Sequence, residues 1–195
     1  MLQYVTAILL SATGMIYCVG LESFREKIKK PYLWFFFAAM IIISTLTAFY
    51  YEQLGSFIAF CVVLIFLLMC VYVDIENGII PNKLLLFFLL IGLITLPFNP
   101  SVSWKEASIG FVAVAAVFGA ISFISKGALG MGDVKLMAVM GLILGWKMFL
   151  TVILIAILAS VITGIFLLIV KRKKRDARIA FTPFILIGTI ICILL

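Results

Sequence analysis

The chain has 195 residues, of which 66% are hydrophobic and 12% charged, with a mean hydropathy of +1.36. A soluble domain of this length cannot bury so much apolar surface, so the composition excludes a water-soluble fold and points to an all-α, polytopic membrane protein. The net charge of +7 sits in short loops between apolar runs, a pattern that orients membrane helices and argues against nucleic-acid binding.

Apolar runs bounded by charges, glycine or proline predict eight spans, at 3–21, 32–51, 57–73, 84–98, 106–124, 134–146, 148–170 and 180–195. No polar stretch is long enough to fold separately, so residues 1–195 read as one membrane domain. The first segment lacks the basic flank of a cleaved signal. Positive charge follows it at Arg25, Lys27, Lys29 and Lys30, which predicts a retained helix with its N-terminus outside. Residues 134–170 are too long for one span, and Gly145-Trp146-Lys147 is the natural break. The sixth and eighth segments are short, which fits tilted or re-entrant helices or spans with other bounds.

The loops after spans one, three, five and seven hold 13 of the 15 Lys and Arg residues, and the other face holds only Lys105 and Lys147. That bias predicts a cytoplasmic location for the first set, with both termini outside. The run Lys171-Arg172-Lys173-Lys174-Arg175 fits an orientation signal that meets anionic head groups, at about 1 kcal/mol per residue.

Cys18, Cys61, Cys70 and Cys192 all lie in apolar segments, none forms a C-x-x-C pair, and the chain has no histidine. They read as small buried hydrophobes, with no metal site or cofactor expected, and a nucleophile that needs histidine is excluded.

Two aspartates stand out. Asp74 closes an apolar run and is followed by Ile75-Glu76-Asn77-Gly78-Ile79-Ile80-Pro81-Asn82, while Asp133 sits in Leu129-Gly130-Met131-Gly132-Asp133-Val134-Lys135 at the mouth of a span. A charge at mid-bilayer costs roughly 2.5–3.5 kcal/mol or more, so carboxylates beside hydrocarbon are kept sparingly. The plain readings are a solvated helix end for Asp74 and an N-cap for Asp133, with Gly78 and Pro81 as breakers. The charge count places both aspartates on the cytoplasmic side. If the fold brings the two together there in one partly desolvated pocket, like-charge repulsion keeps one carboxyl protonated and the other ionised, the arrangement of an aspartyl protease that activates water. Gly130 and Gly132 allow close backbone approach beside Asp133.

Three separated features resemble the type IV prepilin peptidases, membrane aspartyl proteases with a Gly-x-Gly-Asp motif. They are Asp74 with Pro81 seven residues on, the stretch Gly130 to Lys135, and Phe181-Thr182-Pro183-Phe184 with Gly188 beyond. The similarity covers about residues 55–195, leaving 1–54 as N-terminal spans. Asn82 stands where an acid is common in the family, and Ala180 replaces the usual first proline of the last signature. The resemblance implies Asp74 and Asp133 as the catalytic pair, and Gly130 and Gly132 as shapers of the turn. Lys135, Pro81, Pro183 and Glu76 are further site residues under it, Glu76 as a contact for a basic leader peptide. Lys135 also fits a role in topology alone, because on a helix it does not face a neighbour two positions away. The implied substrates are prepilin-like proteins with a short basic leader followed by a hydrophobic helix, cut at the cytoplasmic face of the cell membrane.

Bifunctional members insert a domain with paired C-x-x-C motifs after the first span and also methylate the new N-terminus. Here the loop is residues 22–31 without cysteine, so cleavage without methylation is expected, as in Tad-type enzymes and archaeal preflagellin peptidases. Two alternatives stay open. One is a presenilin-like intramembrane protease, which shares Gly-x-Gly-Asp and has a weak counterpart in Tyr72-Val73-Asp74. The other is a transporter that uses the two aspartates as proton or ion sites.

Overall fold

The computed structural model describes residues 38, 42, 54–125, 129–169 and 180–194. The first predicted span, all of the second but residues 38 and 42, Cys18, Lys126 and the 171–175 basic run lie outside the described residues. Within them the chain is helical, without strands: α1 (Leu54–Asn77), α2 (Asn82–Thr95) continued by a 3-10 turn (Leu96–Phe98), α3 (Trp104–Ile124), α4 (Met131–Ile169) and α5 (Thr182–Leu194). Three of these are long and apolar enough to cross a membrane, over Gly55–Ile75, Trp104–Ile124 and Met131–Phe166. Helices suit hydrocarbon because they satisfy every backbone polar group internally.

The helix that is apolar all round becomes the central one. α1 buries Phe57, Leu64, Phe66, Leu67 and Met69 completely or nearly so, and Phe66 stacks on Phe88 of α2 with ring centroids 4.4 Å apart. α3 and α4 instead turn apolar faces outward. Leu154, Leu158, Ile162, Ile165 and Ile169 form an exposed stripe at helical spacing, the surface expected to face lipid tails.

Association in hydrocarbon depends on close van der Waals contact, since lipid tails are as apolar as leucine. Glycines supply that contact here. A side chain at Gly110 would collide with the Gly141 carbonyl, and one at Gly188 would stand 2.6 Å from the Val152 carbonyl oxygen. α3 and the first limb of α4 run antiparallel, because Ser122 reaches the Leu129 carbonyl at 2.7 Å while Gly145 lies against Val102 and Glu106.

The break predicted at 145–147 is present inside α4. Gly145 adopts φ 73° and ψ 163°, a conformation open essentially to glycine alone. It reverses the chain. Gly110 faces Gly141, and Phe118 and Phe149 each lie eight residues further along. On an unbroken α4 those rings would stand about 24 Å apart at 1.5 Å per residue, whereas their centroids are 6.4 Å apart. The second limb therefore folds back along α3.

Polar contacts gather at the end where the chain turns. Ser56 contacts Ser101 at 2.7 Å and donates to Asn99, Ser103 and Glu106 form a capping box, and Lys147 pairs with Glu106 at 2.8 Å. Asp74 lies 19 residues up α1 from Gly55, or roughly 28 Å, which is close to the thickness of the hydrocarbon core. The two ends of the bundle thus match the two boundaries of a membrane, with the aspartates at one of them.

Candidate active site

The positions of the two aspartates follow from how α1 and α4 end and begin. Asp74 lies in the last turn of α1, so the helix does not stop at the charge as the sequence implied. It stops at Gly78, whose φ of 64° is left-handed and whose N–H donates to the Asp74 carbonyl at 2.9 Å. The chain then turns inward, burying Ile80, and restarts at Pro81. Pro81 occupies the N-cap of α2, its carbonyl accepting from the N–H groups of Leu84 and Leu85 at 3.1 and 3.3 Å.

Asp133 is not the N-cap of its helix, contrary to the plain reading of the sequence. α4 begins at Met131 and the Gly130 carbonyl accepts from the Val134 N–H at 3.2 Å, which puts Asp133 in the first turn. The unpaired amides of that turn favour a carboxylate. Gly132 faces Ile80, where a methyl group would make ordinary contact at 3.5 Å, and one at Gly130 would stand 3.4 Å from Asp133 Oδ2. Neither glycine has a positive φ. Neither left-handed backbone nor a tight contact therefore calls for glycine at these two positions, which place little bulk beside the Asp74 loop and the carboxylate.

Asp74 and Asp133, 59 positions apart, line one cleft of about 210 Å³, with Ile79, Ile80 and the Gly130–Gly132 turn between them. Both side chains are half-buried, and Asp133 feels the charge of Asp74. The cleft has room for several waters, each taking about 30 Å³ in the liquid. Among the described residues no group of His, Cys, Asp and Glu could hold a metal ion. Cys61 and Cys70 are buried and Cys192 is partly buried.

Other sequence-selected residues stand beside the cleft rather than in it. Lys135 is exposed and donates from Nζ to Asn82 Oδ1 at 2.9 Å, joining α4 to the start of α2. Pro183 lies in the first turn of α5 and is half-buried. Neither they nor Pro81 line the cleft. Glu76 belongs to the last turn of α1, and its side chain lies outside the described residues.

Sequence reasoning passed over Thr182. It is fully buried and its hydroxyl donates to Asp74 Oδ2 at 2.7 Å, across 108 positions of sequence. The signal that was available was a lone hydroxyl at the mouth of the last apolar segment, inside the Phe181–Phe184 signature. Asn82, noted only as a departure from the family pattern, proves to be the partner of Lys135.

Residues 58–168 match the type IV leader peptidase family, a stretch that holds both aspartates and ends before Thr182. The chain is 34% identical over 192 residues to the prepilin leader peptidase/N-methyltransferase of Bacillus subtilis (strain 168), covering 98% of this chain and 64% of that protein. The proteins of the same name from Legionella pneumophila and Pectobacterium carotovorum subsp. carotovorum are 33% and 29% identical over 132 residues. Those matches take in 64% and 65% of this chain, and 45% and 47% of the relatives. The chain thus spans between about half and two thirds of the length of these relatives. No solved structure matches it.

Proposed function

The chain belongs to the type IV leader peptidase family, and from that premise we propose that it is a membrane aspartyl endopeptidase that removes the short basic leader from prepilin-like substrates. The observation that carries this is the meeting of Asp74 and Asp133 in one cleft at the end of the bundle. Two carboxylates at short range hold one proton between them. The ionised member takes a proton from a cleft water, whose oxygen attacks the scissile carbonyl. The protonated member donates to that carbonyl oxygen and, as the C–N bond breaks, a proton passes to the leaving amine. Neither metal nor covalent intermediate enters these steps.

The face is the cytoplasmic one in this proposal. The support is the charge count, with Lys83 and Lys135 on the aspartate side and Lys105 and Lys147 at the opposite end. The substrate's leader would stay on the basic-rich side while its hydrophobic helix lies against the bundle, and both termini of this chain lie across the membrane. Residues 1–195 act as a single peptidase domain, and no methyl transfer is proposed, because the 22–31 loop carries no cysteine.

The test is to incubate the purified protein in detergent with a prepilin-like substrate and weigh the product. A loss equal to the leader, with no methyl increment, is the expected result. An intact substrate across several leaders would refute the assignment, and a cut inside the substrate's transmembrane helix would favour the presenilin-like alternative.

A further inference from the structure

A threonine at the start of a helix ordinarily turns its oxygen to its own backbone amides. Thr182 instead donates to a carboxylate on another helix, 2.7 Å away. A hydroxyl given to an ionised oxygen at this length is among the stronger hydrogen bonds a protein makes. Its setting is rigid. Thr182 and Ile185 are fully buried, and Gly188, one and a half turns on, is pressed against the backbone of α4 at Val152 and Ala156. α5 therefore cannot slide, and the hydroxyl is held in register with Asp74. Asp133 has no counterpart: among the described residues no side chain donates a hydrogen bond to it. The two carboxylates share a cleft, yet among the described residues a side chain donates to only one of them.

We propose that Thr182 is a positioning residue for Asp74, its hydroxyl fixing the rotation of that carboxylate by holding Oδ2 and leaving Oδ1 to act on water. The proposal rests on the reading of Asp74 as catalytic. Asp133, to which no described side chain donates, is the carboxyl that adjusts to the substrate carbonyl. The residue acts through Asp74 and touches no reacting atom, so its loss slows turnover without weakening substrate binding.

The experiment compares the full chain with Thr182→Val, which keeps the shape and removes the donor, and Thr182→Ser, which keeps the donor. Loss of a hydrogen bond to a charged group predicts a fall in kcat of roughly tenfold to a hundredfold in Thr182→Val. KM should stay near wild type, with kcat substantially restored in Thr182→Ser. Infrared spectra supply a readout independent of cleavage: the Asp74 carboxylate band, identified by its loss in Asp74→Asn, should shift in Thr182→Val and return in Thr182→Ser. Wild-type kcat in Thr182→Val, or equal losses in both variants, would overturn the proposal, as would an unmoved Asp74 band. If Thr182→Val does not fold, Thr182→Ala takes its place under the same criteria. Should the wild-type protein cleave nothing, the peptidase reading fails by itself, while the infrared comparison still decides whether Thr182 holds Asp74.

Discussion

Adding one methyl group at Gly188 tests whether the packing of α5 sets the geometry of the site. An alanine Cβ there would stand 2.6 Å from the Val152 carbonyl oxygen and 3.3 Å from the Ala156 nitrogen, where ordinary contact begins at 3.4 Å. Both neighbours are backbone, so 0.8 Å must open between α5 and α4. Alanine brings up to about 1 kcal/mol of helix propensity over glycine. Overpacking of this kind costs about 1–3 kcal/mol, so destabilisation wins. If half of that opening reaches Thr182, its 2.7 Å bond to Asp74 lengthens by roughly 0.4 Å and leaves the range of a strong O–H···O contact. Gly164→Ala is the matched control, because a methyl there meets nothing within 4 Å. Gly188→Ala should thus lower both the unfolding midpoint in detergent and the cleavage rate, the latter by about tenfold, whereas Gly164→Ala should raise or preserve the midpoint and leave the rate alone. Equal behaviour of the two variants would refute the reasoning.

Gly78→Ala should cost about 1 kcal/mol of stability by thermal unfolding, purely from the left-handed backbone, since a methyl at that position meets no atom within 4 Å; Gly78→Asn should cost less. Lys147→Ala should leave the unfolding midpoint within error, because the pair with Glu106 is solvent-exposed on the lysine side. Ser103→Ala removes the cap of α3 and should cost about 1 kcal/mol in the same measurement. Asn82→Ala and Lys135→Ala should have similar, small effects on kcat, less than roughly fivefold, and the double variant should lose no more than either single one, because both remove the same hydrogen bond.

Hydrophobic runs made the described helices legible, since little else than a helix serves within hydrocarbon. The break at 145–147 was legible for the same reason, through length, and Gly145 supplies the backbone that makes it. The helix ends were less so. A charge at the membrane boundary looks like a terminus, yet α1 runs past Asp74 because its backbone bonds continue until Gly78 leaves the right-handed region. The two aspartates could be assigned to one side by counting charges, but their meeting in one cleft is a property of helix packing. Thr182 was illegible because a hydroxyl's partner 108 positions away leaves no local pattern. Lys135 was weighed only against its own helix, where it has no neighbour, while its partner Asn82 starts another. The facing pair Gly110 and Gly141 was hidden likewise: each glycine alone is unremarkable, and only their contact gives them a role.

The central claim is that Asp74 and Asp133 work as one catalytic pair. The most direct measurement is the cleavage rate of a prepilin-like substrate by Asp74→Asn and by Asp133→Asn, each purified and shown to unfold at the wild-type temperature. The pair predicts that either substitution alone removes cleavage and that the double variant is no worse. Wild-type cleavage by either folded single variant would contradict it.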